Sequence, residues 1–137
     1  MQHNLPLMRA ISEQIHRDRR GFNQSYIRHR THDGHIEMNI AGWAIQLAGG
    51  YQWIGDDCAT YGQIRVMELA APNRVRFADA VATELLGLTQ EEASFILMAA
   101  DDKIARGWLD DEVSRLTNIA FEQISTYLTL DKKGHLS

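Results

Sequence analysis

The stretch Ala82-Thr-Glu-Leu-Leu-Gly-Leu-Thr-Gln-Glu-Glu-Ala93 ends one helix and begins the next. Gly87 follows two leucines and is the residue type that most often ends a helix. Thr89 is followed three positions later by Glu92, which is the pattern of a capping box at a helix N-terminus. The stretch therefore predicts a helix over residues 77–86 and another that begins at Thr89.

Three further segments have apolar residues at spacings of three and four, the pattern of a helix that buries one face. They cover residues 5–19, 37–48 and 110–128. In the last of them the apolar stripe consists of Val113, Leu116, Ile119, Ala120, Ile124 and Tyr127. The periodicity thus predicts about five helices.

The rest of the chain has weaker patterns. Residues 21–35 are polar and turn-rich and are interpreted as a loop, and residues 129–137 as a flexible tail. Residues 51–76 contain β-branched and aromatic runs between glycines, which allow a small β-hairpin between helices 2 and 3. The predicted fold class is all-α, mainly, with about five helices around one core. A chain of 137 residues fits a single helical domain, 1–137.

The composition predicts a soluble cytoplasmic protein. Cys58 is the only cysteine, so no disulfide can form within the chain, which suits a reducing compartment. The first residues lack a secretory signal pattern. No apolar stretch approaches the roughly 20 residues that a membrane span needs. We therefore expect no membrane partner.

Charge is divided unevenly along the chain. The net charge is −4, yet residues 1–35 carry a net charge of +3 and five of the six histidines, whereas the other residues carry −7. A basic face for an anionic partner or an acidic face for a basic partner would explain this division. The favoured interpretation is that the two parts attract each other within a folded monomer.

Histidines at every third position make residues 29–35 a candidate metal site. His29, His32 and His35, with Asp33 between them, offer imidazole and carboxylate ligands that suit zinc, and Cys58 could add a thiolate. The spacing matches no familiar zinc signature. The alternative is a solvated loop that is rich in histidine.

Acidic residues dominate the stretch from Thr89 to Glu112, which contains seven acidic and two basic residues. This charge argues against a DNA-reading helix, because phosphates would be repelled. It allows a surface that binds a basic partner, although acids also gather at helix N-termini and on solvated faces. The candidate partner-binding residues are Glu91, Glu92, Asp101, Asp102, Asp110, Asp111 and Glu112.

Arginines near the start of the chain form a candidate nucleic-acid site, which we consider the weaker alternative. No nucleophile motif is present, so no catalytic residue is predicted. The candidate nucleic-acid residues are Arg17, Arg19, Arg20, Arg28 and Arg30.

Two motifs carry a resemblance to a known group of proteins. They are Ile40-Ala-Gly-Trp-Ala-Ile-Gln-Leu-Ala-Gly49 and the stretch 82–93 quoted above. The region 22–97 resembles a family of small uncharacterised bacterial and phage proteins, in which an Ala-Gly-Trp-Ala helix precedes a Leu-Gly-Leu-Thr-x-x-Glu-Ala turn. That family usually has cysteines just before the first motif, where this chain has residues 34–39 without one. The resemblance implies a small prokaryotic or viral helical protein and no catalytic residue.

The function expected from the sequence is a non-enzymatic protein-interaction domain. It would be a phage- or prokaryote-encoded modulator, such as an inhibitor, of a host protein like a nucleic-acid-binding defence complex, in the host cytoplasm if the chain is phage-encoded. The alternatives are a metal-binding protein or metal-dependent enzyme using residues 29–35, and a nucleic-acid-binding protein. The sequence also allows a homodimer through Trp53, Trp108 or the alanine-rich second helix.

Overall fold

The computed structural model describes residues 2–55 and 64–136, with side chains up to Thr129. Its helices are α1 (Leu5–Arg17), α2 (Ile40–Ala48), α3 (Ala78–Leu86), α4 (Gln90–Ala93) and α5 (Asp102–Leu136). A short 3₁₀ turn (Arg19–Gly21) follows α1, and a π-helical segment (Ser94–Ala99) continues from α4. The strands are β1 (His29–Arg30), β2 (Ile36–Glu37), β3 (Tyr51–Ile54), β4 (Arg65–Glu68) and β5 (Ala71–Phe77).

The predicted start of a helix at Thr89 is confirmed. The Thr89 hydroxyl accepts a hydrogen bond from the backbone N–H of Glu92 at 3.1 Å, and the Glu92 carboxylate accepts one from the N–H of Thr89 at 2.9 Å. Gly87 has a left-handed backbone with φ of 73°. A side chain at Gly87 would also meet the carbonyl oxygen of Gln2 at 2.3 Å. The turn between α3 and α4 thus requires glycine at position 87 for two reasons, the left-handed backbone and the close approach of Gln2.

The segment before α1 packs along this turn. The backbone N–H of Asn4 donates to the carbonyl of Leu86 at 2.9 Å, and its side-chain amide donates to the carbonyl of Leu85 at 2.9 Å. The Asn4 side-chain oxygen also accepts the N–H of Leu7 and so caps α1. Residues 2–4 are therefore held between the end of α3 and the rest of the molecule.

Helix α2 lies at the centre of the core, between α1 and α3. Asn39 is fully buried; it caps α2 by accepting the N–H of Gly42 at 3.0 Å. A Cβ atom at Gly42 would lie 2.0 Å from the carbonyl oxygen of Ile27. The absence of a side chain there lets the segment before β1 pass directly over α2.

Two antiparallel sheets are present among the described residues. Strands β1 and β2 form a two-stranded ribbon that pairs His29 with Glu37. Strands β3, β4 and β5 form a second sheet in that order, with a bulge between Met67 and Glu68. Val66 of β4 is buried and fixes this sheet against the core.

The predicted all-α fold is wrong, because the structure is an α+β mixture with about 60% helix and 18% strand. The three-stranded sheet occupies residues 51–77, where the sequence allows a small hairpin. Strand β5 contains Pro72 and Asn73, which have poor strand propensity but are tolerated at a sheet edge. Strands β1 and β2 have two residues each, too few for an alternating pattern. The strands are therefore stabilised by pairing between segments that are distant in the sequence, which local patterns do not reveal.

Helix α5 begins against the core and then extends past it. Ala105, Leu109 and Glu112 are buried, whereas every residue from Phe121 to Thr129 is exposed. The first part packs against α1. In the part of the chain that the structure describes, no helix combines the length and apolar character that a membrane span requires.

Candidate functional site

The described structure does not bring His29, His32 and His35 together as a metal-binding group. The Nδ1 atom of His29 lies 3.3 Å from Glu37, and its ring stacks on Tyr26 with centroids 4.3 Å apart. His32 is exposed. Residues 2–55 and 64–136 contain no group of three His, Cys, Asp or Glu side chains that could hold a metal ion. Cys58, which was considered as a further ligand, lies outside the described residues.

Asp33 and His35 instead close the turn between β1 and β2. The Asp33 carboxylate accepts a hydrogen bond from the Thr31 hydroxyl, and the backbone N–H of His35 donates to the same hydroxyl at 3.0 Å. The bond from Thr31 holds the pKa of Asp33 below its usual value, helped by the His35 N–H and by the charge of Arg20. These contacts give the His-rich loop a structural role as a tight turn.

The candidate nucleic-acid arginines are distributed over the end of α1, the 3₁₀ turn and β1. Arg17 donates to the side chain of Gln14 at 2.7 Å, and Arg20 lies 3.2 Å from Asp33. The Arg28 guanidinium lies over the Trp53 ring, 5.6 Å from its centroid. Arg19 and Arg30 are exposed. Nucleic-acid binding through these arginines stays a prediction.

Most of the candidate partner-binding acids form hydrogen bonds within the chain. Asp101 caps α5 by accepting the N–H of Ile104 at 2.9 Å, and Asp102 accepts the N–H of Gln24 at 2.8 Å. Asp110 accepts from the Ser12 hydroxyl at 2.6 Å and lies 3.0 Å from His16 Nε2.

Two more of these acids, Glu92 and Glu112, bind His3. Four of the seven acids therefore join the acidic stretch to the first 35 residues, whereas Asp101 bonds within the stretch. The remaining two, Glu91 and Asp111, are exposed. This arrangement supports the favoured interpretation of the charge division, in which the two parts of the chain attract each other.

The contacts of His3 are the most concentrated charged cluster that sequence reasoning missed. Its Nε2 atom lies 2.9 Å from a carboxylate oxygen of Glu92 in α4, and its Nδ1 atom forms a hydrogen bond with Glu112 in α5. Arg115 donates two hydrogen bonds to Glu112, at 2.5 and 2.9 Å. The His3 ring also lies 5.8 Å from that of Trp108. The side chains of His3 and Glu112 are only 11% and 10% exposed.

Both ring nitrogens of His3 face carboxylates, which accept but do not donate hydrogen bonds when ionised. Burial lowers the pKa of His3, but the hydrogen bonds to Glu92 and Glu112 outweigh it, and the net result is a raised pKa. The imidazolium form can donate to both partners at once. A ring held in this way has no nitrogen available to accept a proton from a substrate, so the cluster acts as a clamp.

The pKa values of the two carboxylates are both lowered, which favours their charged forms, just as the raised pKa of His3 favours its charged form. Arg115 is the largest influence on Glu112 and, with His3, lowers its pKa despite burial. Burial raises the pKa of Glu92, but the N–H of Thr89 and the hydrogen bond from His3 lower it more. The cluster is thus stabilised as a charged group that holds residues 2–4 against α4 and α5.

A cleft of about 360 Å³ opens beside this clamp, between the first residues and α5. Its polar end is formed by His3 and Arg115, and its apolar wall by Leu5, Leu116 and Ile119. The cleft leads toward the part of α5 that extends past the core.

That part of α5, residues 117–129, is called the projecting half below. Phe121, Ile124, Tyr127 and Leu128 are exposed by 70%, 57%, 69% and 59%. Their spacings of three, four and seven place them on one side of the helix. The opposite side carries Asn118, Glu122, Ser125 and Thr129. The projecting half is therefore amphipathic, with its apolar side facing solvent.

The surfaces proposed from the sequence for a homodimer are used within the chain. Ala41 and Ala44 of α2 are fully buried, and Trp108 packs against the core. Trp53 lies beneath Arg28 and donates its indole N–H to Gln46 at 3.2 Å. Among the surfaces described here, the projecting half of α5 is the better candidate for contact with another protein.

Comparison with protein-family models, with curated proteins and with solved structures finds no match. The resemblance to small bacterial and phage proteins therefore stays a prediction, and functional inference depends on the geometry of this chain alone.

Proposed function

We propose that this chain is a protein-interaction domain and that the projecting half of α5 is its contact surface. The observation that carries the proposal is the run of four large apolar side chains, each more than half exposed, on one side of that helix. An amphipathic helix in a folded protein normally lays its apolar side on a core. A contiguous exposed apolar surface of this kind usually marks a site of interaction.

The energetics of an isolated helix also support binding. A helix of this length is marginal in water without tertiary packing, since most helical stability in proteins comes from burial of the apolar side. Residues 121–129 of the projecting half are all exposed, so they receive little such burial from the described part of the chain. A bound partner would supply the missing packing.

The acidic surface predicted from the sequence is less suited to this role. Four of its seven carboxylates already bond to distant residues, namely His3, Ser12 and Gln24, and a fifth, Asp101, caps α5. A partner that drew on those carboxylates would have to break bonds within the chain. A role as a modulator of another protein, as expected from the sequence, would then be exercised through α5.

A pair of matched lysine substitutions tests the proposal. Ile124→Lys places a charge in the middle of the apolar stripe, whereas Thr126→Lys places the same charge on the far side of the helix, one turn after Glu122. Each tagged full-length protein would be used to capture partners, including untagged copies of itself, from the cells that naturally express it.

We expect at least one protein to be retained by the wild type and Thr126→Lys and lost with Ile124→Lys. Quantitative mass spectrometry of the captured material measures this. Identical captured sets for all three proteins would contradict the proposal.

A further inference from the structure

We infer that the partner of the projecting half is a second copy of this chain, docked through the same helix in an antiparallel pair about a two-fold axis. This inference rests on the proposed function and specifies its partner. Three features of the helix support it: the order of large and small residues, the scarcity of charge, and the area of the apolar stripe.

The order of residues is self-complementary around Ile124. In an antiparallel pair centred on Ile124, residues at equal distances before and after Ile124 face each other across the pair. Ala120, four positions before Ile124, therefore faces Leu128 of the other copy, so that a small residue lies opposite a large one. In the same way Phe121 faces Tyr127. Small residues opposite large ones and aromatic residues opposite each other are the arrangements that pack helix pairs well.

A two-fold axis also makes the interface isologous, so that each of these contacts occurs twice. The side chain of Ile124 meets its own counterpart at the axis. The stripe therefore needs no surface other than itself to be covered.

Charge is scarce on the projecting half. Between Leu116 and Leu130 the sequence contains one charged residue, Glu122, although 23% of the whole chain is charged. A partner that is recognised by opposite charge would find little to bind here, whereas the cores of homodimer interfaces are depleted in charged residues. Glu122 itself lies on the side of the helix opposite the apolar stripe, outside the interface of the pair. The scarcity of charge thus favours a second copy of the same helix as the partner.

The area of the stripe is sufficient for a specific dimer. If a large apolar side chain has roughly 200 Å² of surface, the exposed fractions of Phe121, Ile124, Tyr127 and Leu128 amount to about 500 Å² per copy. Two copies would bury about 1,000 Å² from these side chains alone, which is the order of the smallest specific interfaces. Backbone and flanking polar atoms of the same helix add to this area.

The test is the mass of the full-length protein in solution, measured by light scattering and native mass spectrometry over a range of concentrations up to about 100 μM. We expect the wild type and Thr126→Lys to reach twice the chain mass of 15.6 kDa. Ile124→Lys brings two unpaired charges together at the axis and should weaken the dimer roughly 100-fold or more. Circular dichroism checks that each variant is folded, which is expected because Ile124 is exposed in the single chain.

A charge-swap experiment tests the position of the axis. A mixture of Ile124→Lys and Ile124→Glu should form a mixed dimer, because the two opposite charges would meet where like charges repel in each variant alone. A mixed dimer with neither homodimer present would support a pair in which the two copies of Ile124 meet at the axis. Failure of the mixture to associate would contradict that arrangement.

The other outcomes separate this inference from the proposed function. A wild type that stays at 15.6 kDa throughout, or a dimer that survives Ile124→Lys, would overturn the inference. In another outcome, the wild type is monomeric but captures a different protein that Thr126→Lys also captures and Ile124→Lys does not. In that case the proposed function is supported, and the partner is that protein and not a second copy. If Ile124→Lys changes neither self-association nor capture, both are wrong.

Discussion

In the half of α5 that lies along α1, the inward side chains are buried among other elements, whereas in the projecting half the same side of the helix faces solvent. Leu109 is 1% exposed, but Leu128 is 59% exposed. Glu112 is held by His3 and Arg115, and Asp110 by Ser12 and His16. One continuous helix thus has two different halves. Residues 102–116, called the packed half below, are fixed by apolar and charged contacts, whereas the projecting half has its apolar stripe uncovered.

This difference suggests that the two halves have different tasks. The packed half joins the basic and acidic parts of the chain and contributes to stability. The projecting half contributes little to the stability of a single copy, so selection for stability alone does not explain its large apolar side chains. We interpret the projecting half as a surface that is held out from the body of the protein for binding.

The largest expected effect comes from the same substitution in both halves. Leu109→Ala removes a buried side chain and should lower the free energy of unfolding by about 2–5 kcal/mol, because it loses apolar burial and leaves a cavity. Leu128→Ala removes an exposed side chain and should change the stability of the single chain by about 0.5 kcal/mol or less. Urea denaturation at low micromolar concentration, where association is weak, measures both.

Leu128→Ala is also the control for Leu109→Ala, since the change in chemistry and helix propensity is the same. Similar losses of stability for both variants would mean that the projecting half packs against the body of the molecule, and the contrast between the halves would disappear.

A smaller effect is expected from the charged clamp. His3→Ala removes hydrogen bonds to two carboxylates from a position that is 11% exposed, and it should cost about 1–3 kcal/mol of unfolding free energy. His16 also pairs with an acid of α5, Asp110, but its side chain is 51% exposed, so His16→Ala should cost no more than about 1 kcal/mol. Thermal and urea unfolding near pH 6 compares the two variants. Equal costs for both would show that the His3 cluster is no more than a surface ion pair.

The sequence predicts much of the helical framework, because helices depend on nearby residues. The helix ends at Gly87 and Thr89 follow from local chemistry and agree with the structure. The sequence indicates the three-stranded sheet only as an optional hairpin and does not indicate the two-stranded one, because the strands are short and β5 contains Pro72 and Asn73, so that pairing with distant strands stabilises them.

The candidate sites show the same limit. The contact between His3 and Glu112 spans 109 positions, and neither residue belongs to a motif that would reveal it. Glu92 was recognised as part of a capping box, but its bond to His3 was not. The sequence predicts an apolar stripe in α5 that includes Ile124 and Tyr127, yet periodicity indicates only which side of a helix is apolar. It does not indicate that Leu109 is covered by the chain and Ile124 is not.

The smallest expected effect is the dependence of the clamp on pH, which concerns the packed half alone. The pKa of His3 is raised in the folded state above the usual 6.5, so the stability contributed by its charge is fully present below pH 6.5 and is lost as the pH rises through the folded-state value. The pKa values of Glu92 and Glu112 are lowered below the usual 4.5, so their contribution is present above pH 4.5 and is lost as the pH falls through their folded-state values. The clamp should therefore be strongest between about pH 4.5 and 6.5.

The cost of His3→Ala, measured by urea denaturation between pH 5 and pH 9, isolates this effect, because both carboxylates stay ionised over most of that range. We expect the cost to fall by about 1 kcal/mol from pH 6 to pH 9, as the ring loses the proton that one of its two hydrogen bonds requires. Arg115, which also faces Glu112, stays charged over the whole range and does not contribute to the change. The same profile for Leu109→Ala should be flat, since that site has no titrating group. A cost of His3→Ala that does not vary with pH would mean that the ring holds residues 2–4 by packing against Trp108 and not by its charge.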